Sequence, residues 1–354
     1  MLRLILKTTK PLRQGFTFVL IVIILGVLRS IRHLKGPQFA FMVYGTERDK
    51  RAFFPWWVER FLPPTFPIGL IKFGKKTGLL LATYNDASSM SRNPKLVPPL
   101  LTDLAQRFPT LRSVALAGQL PSWTHTAGGV IETPCVQGTR GTRYAMLKCC
   151  LALAKKTTRN LGDLTIAVIG GAGYTGRFVV ADLATHFKQV IAYDTRYVEG
   201  ATKSVHAFAT SIIYTANRQD LCDADVVVVF TPKGDDAADV IPFLRRGAVL
   251  GDDTHPCMTA KTREMLLAQG VKYWKLTTSS VTCPLRIIPR MPNFKPSDAP
   301  GCLIEALVRL HQPEISRTSW DHPCDEDTEL QVLFNLAAEA LGFESCLSAH
   351  IGDV

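Results

Sequence analysis

A chain of 354 residues with 47% hydrophobic and 20% charged residues is too apolar for a disordered region, and nine scattered cysteines do not make a disulfide scaffold. The length makes room for about two domains that bury a core without staples. The net charge of +11 is lopsided: before Glu47 there is no acidic residue, and that stretch carries Arg3, Lys7, Lys10, Arg13, Arg29, Arg32 and Lys35. The rest of the chain has no basic stripe interleaved with stacking aromatics, which argues against a nucleic-acid partner.

The first element is FTFVLIVIILGVL, Phe16 to Leu28, bracketed by those cations. Its thirteen residues fall short of the about twenty that span a bilayer comfortably. A thinned crossing, an in-plane helix and a targeting sequence remain open. No A-x-A cleavage site follows, and Arg29, Arg32, His33 and Lys35 do, so residues 1–36 are expected to be a membrane anchor or targeting segment, with membrane lipid contacted through residues 13–35. FFPWWVERFL, Phe53 to Leu62, reads either as an interfacial patch or as a lid or core cluster. The odd, scattered cysteines without a C-x-x-C pair place the body in cytoplasm or another reducing compartment.

FAFMVYG (Phe39 to Gly45), IKF, GLLLATY and LRSVALAG (Leu111 to Gly118) read as strands separated by Pro63, Pro64, Pro67, Pro98 and Pro99. Residues 37–140 are therefore expected to form a small α/β substrate domain. TRYAMLKCCLALAKK then predicts a helix opening near Thr142. On it, Tyr144 and Lys148 form a Y-x-x-x-K pair, but they precede the glycine turn described next and are read as helix surface.

TIAVIG, Thr165 to Gly170, is a β-rich apolar run followed at once by Gly171-Ala-Gly173-Tyr174-Thr175-Gly176 and the helical RFVVADLATHF. Strand, glycine turn and helix in that order are the dinucleotide-binding arrangement. The first glycine allows the tight turn, the second the approach of pyrophosphate, and the third close helix packing. The helix N-terminus then offers free N–H groups to the phosphates. QVIAYD ends a second strand in Asp194, where a carboxylate binds the ribose 2′-OH of NAD, while Arg196 could accept the 2′-phosphate of NADP. ADVVVVF, Ala224 to Phe230, runs into Thr231-Pro232, a third stretch expected at the cofactor. AVLGDD and VKYWKL, separated by the helical TAKTREMLLAQG, complete a Rossmann-type doubly wound parallel sheet over residues 141–290.

His255 falls at the carboxyl edge of that sheet, where ligands bind in such folds, and is a candidate proton donor or an ordinary loop histidine. In the C-terminal segment, 291–354, expected to pack helices back on the substrate domain, SDAPGCLIEALVRL sets Cys302 near a helix N-terminus. There the helix dipole is expected to lower the thiol pKa. A buried structural cysteine is the alternative.

Three stretches resemble the cyanobacterial-type long-chain acyl-ACP reductases, which make fatty aldehydes: GTRGTRYAMLKCCLALAKKT leading into TIAVIGGAGYTG, then GCLIEALVRL, then NLAAEALGF (Asn335 to Phe343). The resemblance covers about residues 115 to 346. It implies that Cys302 carries the acyl group from an acyl-ACP or acyl-CoA thioester and that hydride transfer from NAD(P)H releases an aldehyde. The chain departs from the family at Asp252-Asp253-Thr254-His255-Pro256, where the family has a glycine-rich loop with Tyr-Pro, in its N-terminal apolar run, and at Asp194, which is unlike an NADP site. Two other readings stand beside it: an NAD(P)-dependent dehydrogenase of a small carbonyl or amino-acid substrate, and a non-catalytic Rossmann subunit of a membrane complex.

Overall fold

The computed structural model describes residues 36–47, 63–198, 203–207, 210–288, 294–295, 297–312 and 328–348. The apolar run at 16–28 and the aromatic patch at 53–62 lie outside the described residues. Within them, no helix is long and apolar enough to cross a membrane.

The chain begins with β1 (Phe39–Val43), β2 (Thr65–Phe73) and β3 (Lys76–Thr83), followed by α1 (Ala87–Arg92), α2 (Val97–Arg107), β4 (Ser113–Leu116), α3 (Leu120–Thr126) and β5 (Cys135–Val136). A long helix, α4 (Thr139–Ala154), leads to β6 (Thr165–Ile169), α5 (Gly176–Leu183), β7 (Gln189–Tyr193), β8 (Lys203–Ala207), β9 (Thr210–Thr215) and β10 (Val226–Val229). Then come β11 (Val249–Asp252), α6 (Ala260–Gln269), β12 (Lys272–Ser280), β13 (Leu285–Ile288), β14 (Asp298–Ala299), α7 (Gly301–His311), α8 (Thr328–Ala340) and β15 (Phe343–Ser348).

These strands make two sheets. The first has the order β13-β2-β3-β1-β4-β5, with β1, β3, β4 and β5 parallel, β2 antiparallel to β3, and β13 antiparallel to β2. Strand side chains alternate between faces, so β1 divides its residues between two cores. Phe39 and Phe41 face Leu303, Ile304, Leu307 and Phe334 from α7 and α8. Ala40 and Met42 face Met90, Leu100, Leu104 and Trp123 from α1 to α3. Burial on both faces explains the continuous apolar character of the strands.

The second sheet contains the parallel run β9-β7-β6-β10-β11-β12, the strand order 3-2-1-4-5-6 of a Rossmann domain. β8 closes one edge antiparallel to β9, and β14 and β15 pair antiparallel with β12 at the other. Between β10 and β11 the chain makes a 3-10 stretch, Gly234–Phe243, with Pro242 inside it; proline lacks the N–H an α-helical turn would need.

Helix α4 belongs to both cores. Tyr144 and Ala145 pack with the first sheet's cluster, while Met146, Cys149, Cys150 and Leu153 pack against β6, β7 and β10. Tyr144 therefore corrects the helix-surface expectation: it is buried, and its hydroxyl donates to the Phe343 carbonyl, while Lys148 pairs with Glu339. Near its start α4 crosses α7 so closely that a Cβ on Gly141 would lie 2.1 Å from the Gly301 carbonyl oxygen. This crossing sets the first residues of α7 between the two sheets.

Candidate functional site

The carboxyl ends of both parallel sheets lie near one another: Cys302, at the start of α7, is close enough to Asp253, just after β11, to feel its charge, and Tyr174 in the glycine turn bonds Gln137, just after β5. Gly170 has φ +96°, and a Cβ there would meet the Phe230 carbonyl oxygen at 2.5 Å. The tight turn expected of Gly171 is thus made one residue earlier, because the chain reverses at the very end of β6; Gly171 packs instead against the Cβ of Ala192. At Gly176 a Cβ would sit 2.3 Å from the Gly170 carbonyl oxygen, so only glycine lets α5 start here. Gly173 donates its N–H to that same carbonyl at 3.0 Å. Among the described residues the N–H groups of Thr175 and Gly176 have no partner, and they stand at the positive end of α5. A cradle that a Cβ would fill, with free N–H groups at its lip, fits the pyrophosphate of a dinucleotide.

Asp194 closes the other side of the turn. One carboxylate oxygen accepts the Arg196 N–H at 3.0 Å and its Nε at 2.9 Å; the other accepts the Ala172 N–H at 3.1 Å and Arg196 Nη2 at 2.7 Å. Burial disfavours the charged form, but these donors outweigh it and hold Asp194 below the usual carboxylate range. The four acceptor positions are taken, which leaves none for a ribose hydroxyl. The Arg196 side chain is 61% exposed and folds over the turn, with Nη2 3.7 Å from where a Gly173 Cβ would be. The local contact, two residues long, sets an exposed guanidinium beside the Asp194 carboxylate at the turn.

Tyr174 reaches away from the cradle. Its hydroxyl donates to Gln137 Oε1 at 3.0 Å and its ring stacks on His125 at 5.4 Å, tying the turn to the first sheet's loops. Thr231 lies beyond β10, its hydroxyl bonded to the Lys233 carbonyl at 2.7 Å, and Pro232 beside it is exposed.

Opposite the turn stands Cys302, in the first turn of α7 after Pro300. Its Cβ would be 2.6 Å from a Cβ on Gly138, so glycine at the start of α4 makes its seat. The backbone of Leu303, whose N–H donates to the Pro300 carbonyl at 2.9 Å, and that of Gly118 lie close enough to favour a charged sulfur. Tyr44, just past β1, is close enough to Cys302 to feel its charge, and its hydroxyl accepts the Gln119 N–H at 3.1 Å. The expected low thiol pKa is corrected here. Enclosure by protein dominates and, with Asp253 and Glu305 adding to it, pushes the thiol up to about 12 against the pull of that backbone.

The loop after β11 carries Asp253, which the Cys302 thiol feels, and His255, and both feel Lys275. His255 touches solvent and stacks on Phe294 at 4.6 Å. The surrounding protein, and then Lys275, press its pKa well below the ordinary histidine value. Lys275, on β12, is 2% exposed, and its Nζ donates to the Thr254 carbonyl at 2.8 Å. Asp253 is half-buried; burial raises its pKa, Lys275 lowers it, Asp252 raises it, and the outcome is about 7. Sequence reasoning passed over Asp253, Lys275 and Tyr44. The signals were a doubled aspartate at a strand end and a lysine inside an apolar strand, both residues that a buried position tolerates only with a partner.

No protein-family model and no curated protein matches the chain. Among solved structures it is similar to the hetero-hexameric glutamate dehydrogenase from Thermus thermophilus (13% identity, 87% of this chain and 74% of that one, TM-score 0.41). It is also similar to L-tryptophan dehydrogenase from Nostoc punctiforme (12%, 86% and 80%, TM-score 0.37). A third likeness is the D-isomer specific 2-hydroxyacid dehydrogenase from Xanthobacter autotrophicus, in complex with NADPH (17%, 38% of this chain, TM-score 0.28), of whose length the match spans 65%. At these TM-scores the likenesses assign no substrate and no activity to this chain.

Proposed function

We propose that the chain is an NAD(P)H-dependent oxidoreductase, a dehydrogenase whose carbonyl substrate sits between the two sheets. The observation that carries this reading is a shared sheet edge: the glycine cradle closes the carboxyl end of β6, and Asp253, His255 and Lys275 follow two strands along the same edge, with Cys302 close enough to feel the Asp253 charge. When bound, the reduced nicotinamide supplies the hydride. The chain's own part is to seat the pyrophosphate on the Thr175 and Gly176 N–H groups and to present Arg196 at the ribose. With the Asp194 acceptor positions filled and Arg196 exposed, a 2′-phosphate gains a partner, which supports NADP(H) ahead of NAD(H). Attachment to membrane lipid through residues 13–35 belongs to the same proposal, supported by the apolar run between basic flanks.

One observation favours a second reading, reduction of a fatty acyl thioester: Cys302 stands in the first turn of α7, close to Asp253 and to the backbone of Gly118. In that reading the thiol gives up its proton, its sulfur bonds to the acyl carbon and the carrier leaves as a thiol, so the acyl-enzyme is the hydride acceptor. The raised thiol pKa counts against unaided attack. Intact-mass analysis with hexadecanoyl-CoA separates the two. An acyl adduct on Cys302 that clears on adding NADPH supports the thioester reading; turnover of pyruvate or hexanal surviving Cys302→Ala supports the dehydrogenase. Absence of NADH and NADPH binding overturns both.

A further inference from the structure

Two neighbouring aspartates at the end of β11 are built for opposite purposes. Asp252 is fully buried, and its carboxylate accepts the Thr254 N–H and hydroxyl, the Met258 N–H at 2.8 Å and the Tyr273 hydroxyl at 2.9 Å. Its acceptor positions are used to pin the loop that follows. Asp253 points to the other face, as successive residues of an extended chain do. Among the described residues its carboxyl group has no hydrogen-bond partner, although it is half-buried.

Its place on the sheet edge is defined by backbone contacts. The Asp253 N–H donates to the Val229 carbonyl at the end of β10, and the next residue, Phe230, carries the carbonyl against which Gly170 is packed. Asp253 therefore stands two strands, about 10 Å, from the glycine turn. It lies on the side of the switch point along which the second mononucleotide half of a dinucleotide extends. The charged and titratable groups around it are Lys275 on β12, Asp252 on its own strand, Cys149 and Cys150 on α4, Cys302 on α7 and His255 in the loop. The three thiols are pushed up and the imidazole down, so these four are neutral near pH 7.

Building on the oxidoreductase reading, we propose that Asp253 is the proton donor to the carbonyl oxygen of the substrate, with Lys275 as the positioning charge behind it. As the carbonyl carbon gains the hydride, the π pair moves onto oxygen. That oxygen takes the proton of the Asp253 carboxyl group, whose O–H bond breaks. The product is an alcohol and an Asp253 carboxylate facing Lys275, and solvent returns the proton. A carboxyl group that titrates near 7 holds and releases a proton under ordinary conditions.

The test uses the full chain, its Asp253→Asn and Lys275→Met variants, and an infrared titration of the protonated-carboxyl band with and without NADPH, alongside NADPH oxidation with pyruvate, hexanal and hexadecanoyl-CoA. The wild type should show a carboxyl band lost through about pH 7 that moves when NADPH binds, and reduction should fall about tenfold per pH unit above it. Asp253→Asn should lack the band, bind NADPH within about threefold of wild type, lose at least about a hundredfold in turnover and lose the pH limb. Lys275→Met should move the band to higher pH, because a charge favouring the carboxylate is gone. A wild-type band that does not titrate between about pH 5 and 9, or does not respond to NADPH, overturns the assignment, as does Asp253→Asn turnover with the pH limb intact. A wild type that binds neither NADPH nor NADH overturns the oxidoreductase reading itself, which fluorescence titration detects independently of the band. If Lys275→Met does not fold, the Asp253→Asn comparison still decides.

Discussion

At the β6 and β7 end of the parallel sheet the side-chain acceptor and the turn carbonyl are already satisfied, Asp194 by four donors and Gly170 by the Gly173 N–H, while the Thr175 and Gly176 N–H groups stay open among the described residues. At the β11 and β12 end, neither the Asp253 carboxyl group nor the Cys302 thiol has a hydrogen-bond partner among the described residues. The first region is rigid before any ligand arrives, which lowers the entropy cost of binding. The second keeps a lone pair and a proton uncommitted, at a cost in desolvation that shows as two raised pKa values. Under the proposed function, recognition and proton transfer place opposite demands on polar groups, and the sheet edge separates them by two strands.

The comparison breaks most completely if the rigid end is deformed. Gly176→Val forces a side chain into the Gly170 carbonyl at 2.3 Å and should abolish NADPH binding while lowering the melting temperature. Fluorescence titration and calorimetry read the two effects, and undiminished binding in a folded variant refutes the cradle.

The reactive end is tested through pH. Asp253 binds its proton more tightly folded, at about 7, than unfolded, at about 3.9. Between those values the folded state holds the extra proton, so stability falls as pH rises through that window, by on the order of a few kcal/mol. Asp253→Asn should flatten that slope, raising the urea midpoint at pH 8 relative to wild type and leaving it nearly unchanged at pH 4.

Arg196→Ala sharpens the contrast at the cradle. Losing a charge-assisted contact of about 1.5 to 3 kcal/mol should weaken NADPH about tenfold to a hundredfold and leave NADH within a few-fold. Calorimetric binding of 2′,5′-ADP measures the same loss without turnover; equal losses for both cofactors would shift the credit away from Arg196. The smallest effect is at the bridge between the regions. Tyr174→Phe removes the hydrogen bond to Gln137 and should cost about 0.5 to 1.5 kcal/mol of stability, seen as a small shift in the denaturation midpoint.

The glycine turn was legible because its requirement is local: a positive φ and contacts under 3 Å within six residues admit glycine alone. The parallel Val and Ile strands were legible for the same kind of reason, since burial on both faces leaves no polar position along the strand. Asp194 was legible as a position, but its partner was not. Its meaning depends on where a flexible arginine two residues away folds, and side-chain placement is not written in spacing. Tyr144 was misread because α4 is buried on two sides, by a β15 strand about two hundred residues later.

By itself the amino-acid sequence determined the Rossmann run from Thr165 to Lys275 and the glycine cradle, through periodicity and backbone sterics that act over a few residues. Only the tertiary structure decided the site. The seat of Cys302 is made by Gly118, Gly138 and Leu303, and its neighbours Asp253 and Tyr44 come from separate elements of both sheets. Whether a thiol or carboxyl there is charged depends on how much water the surrounding chain excludes, a quantity set by packing between distant segments.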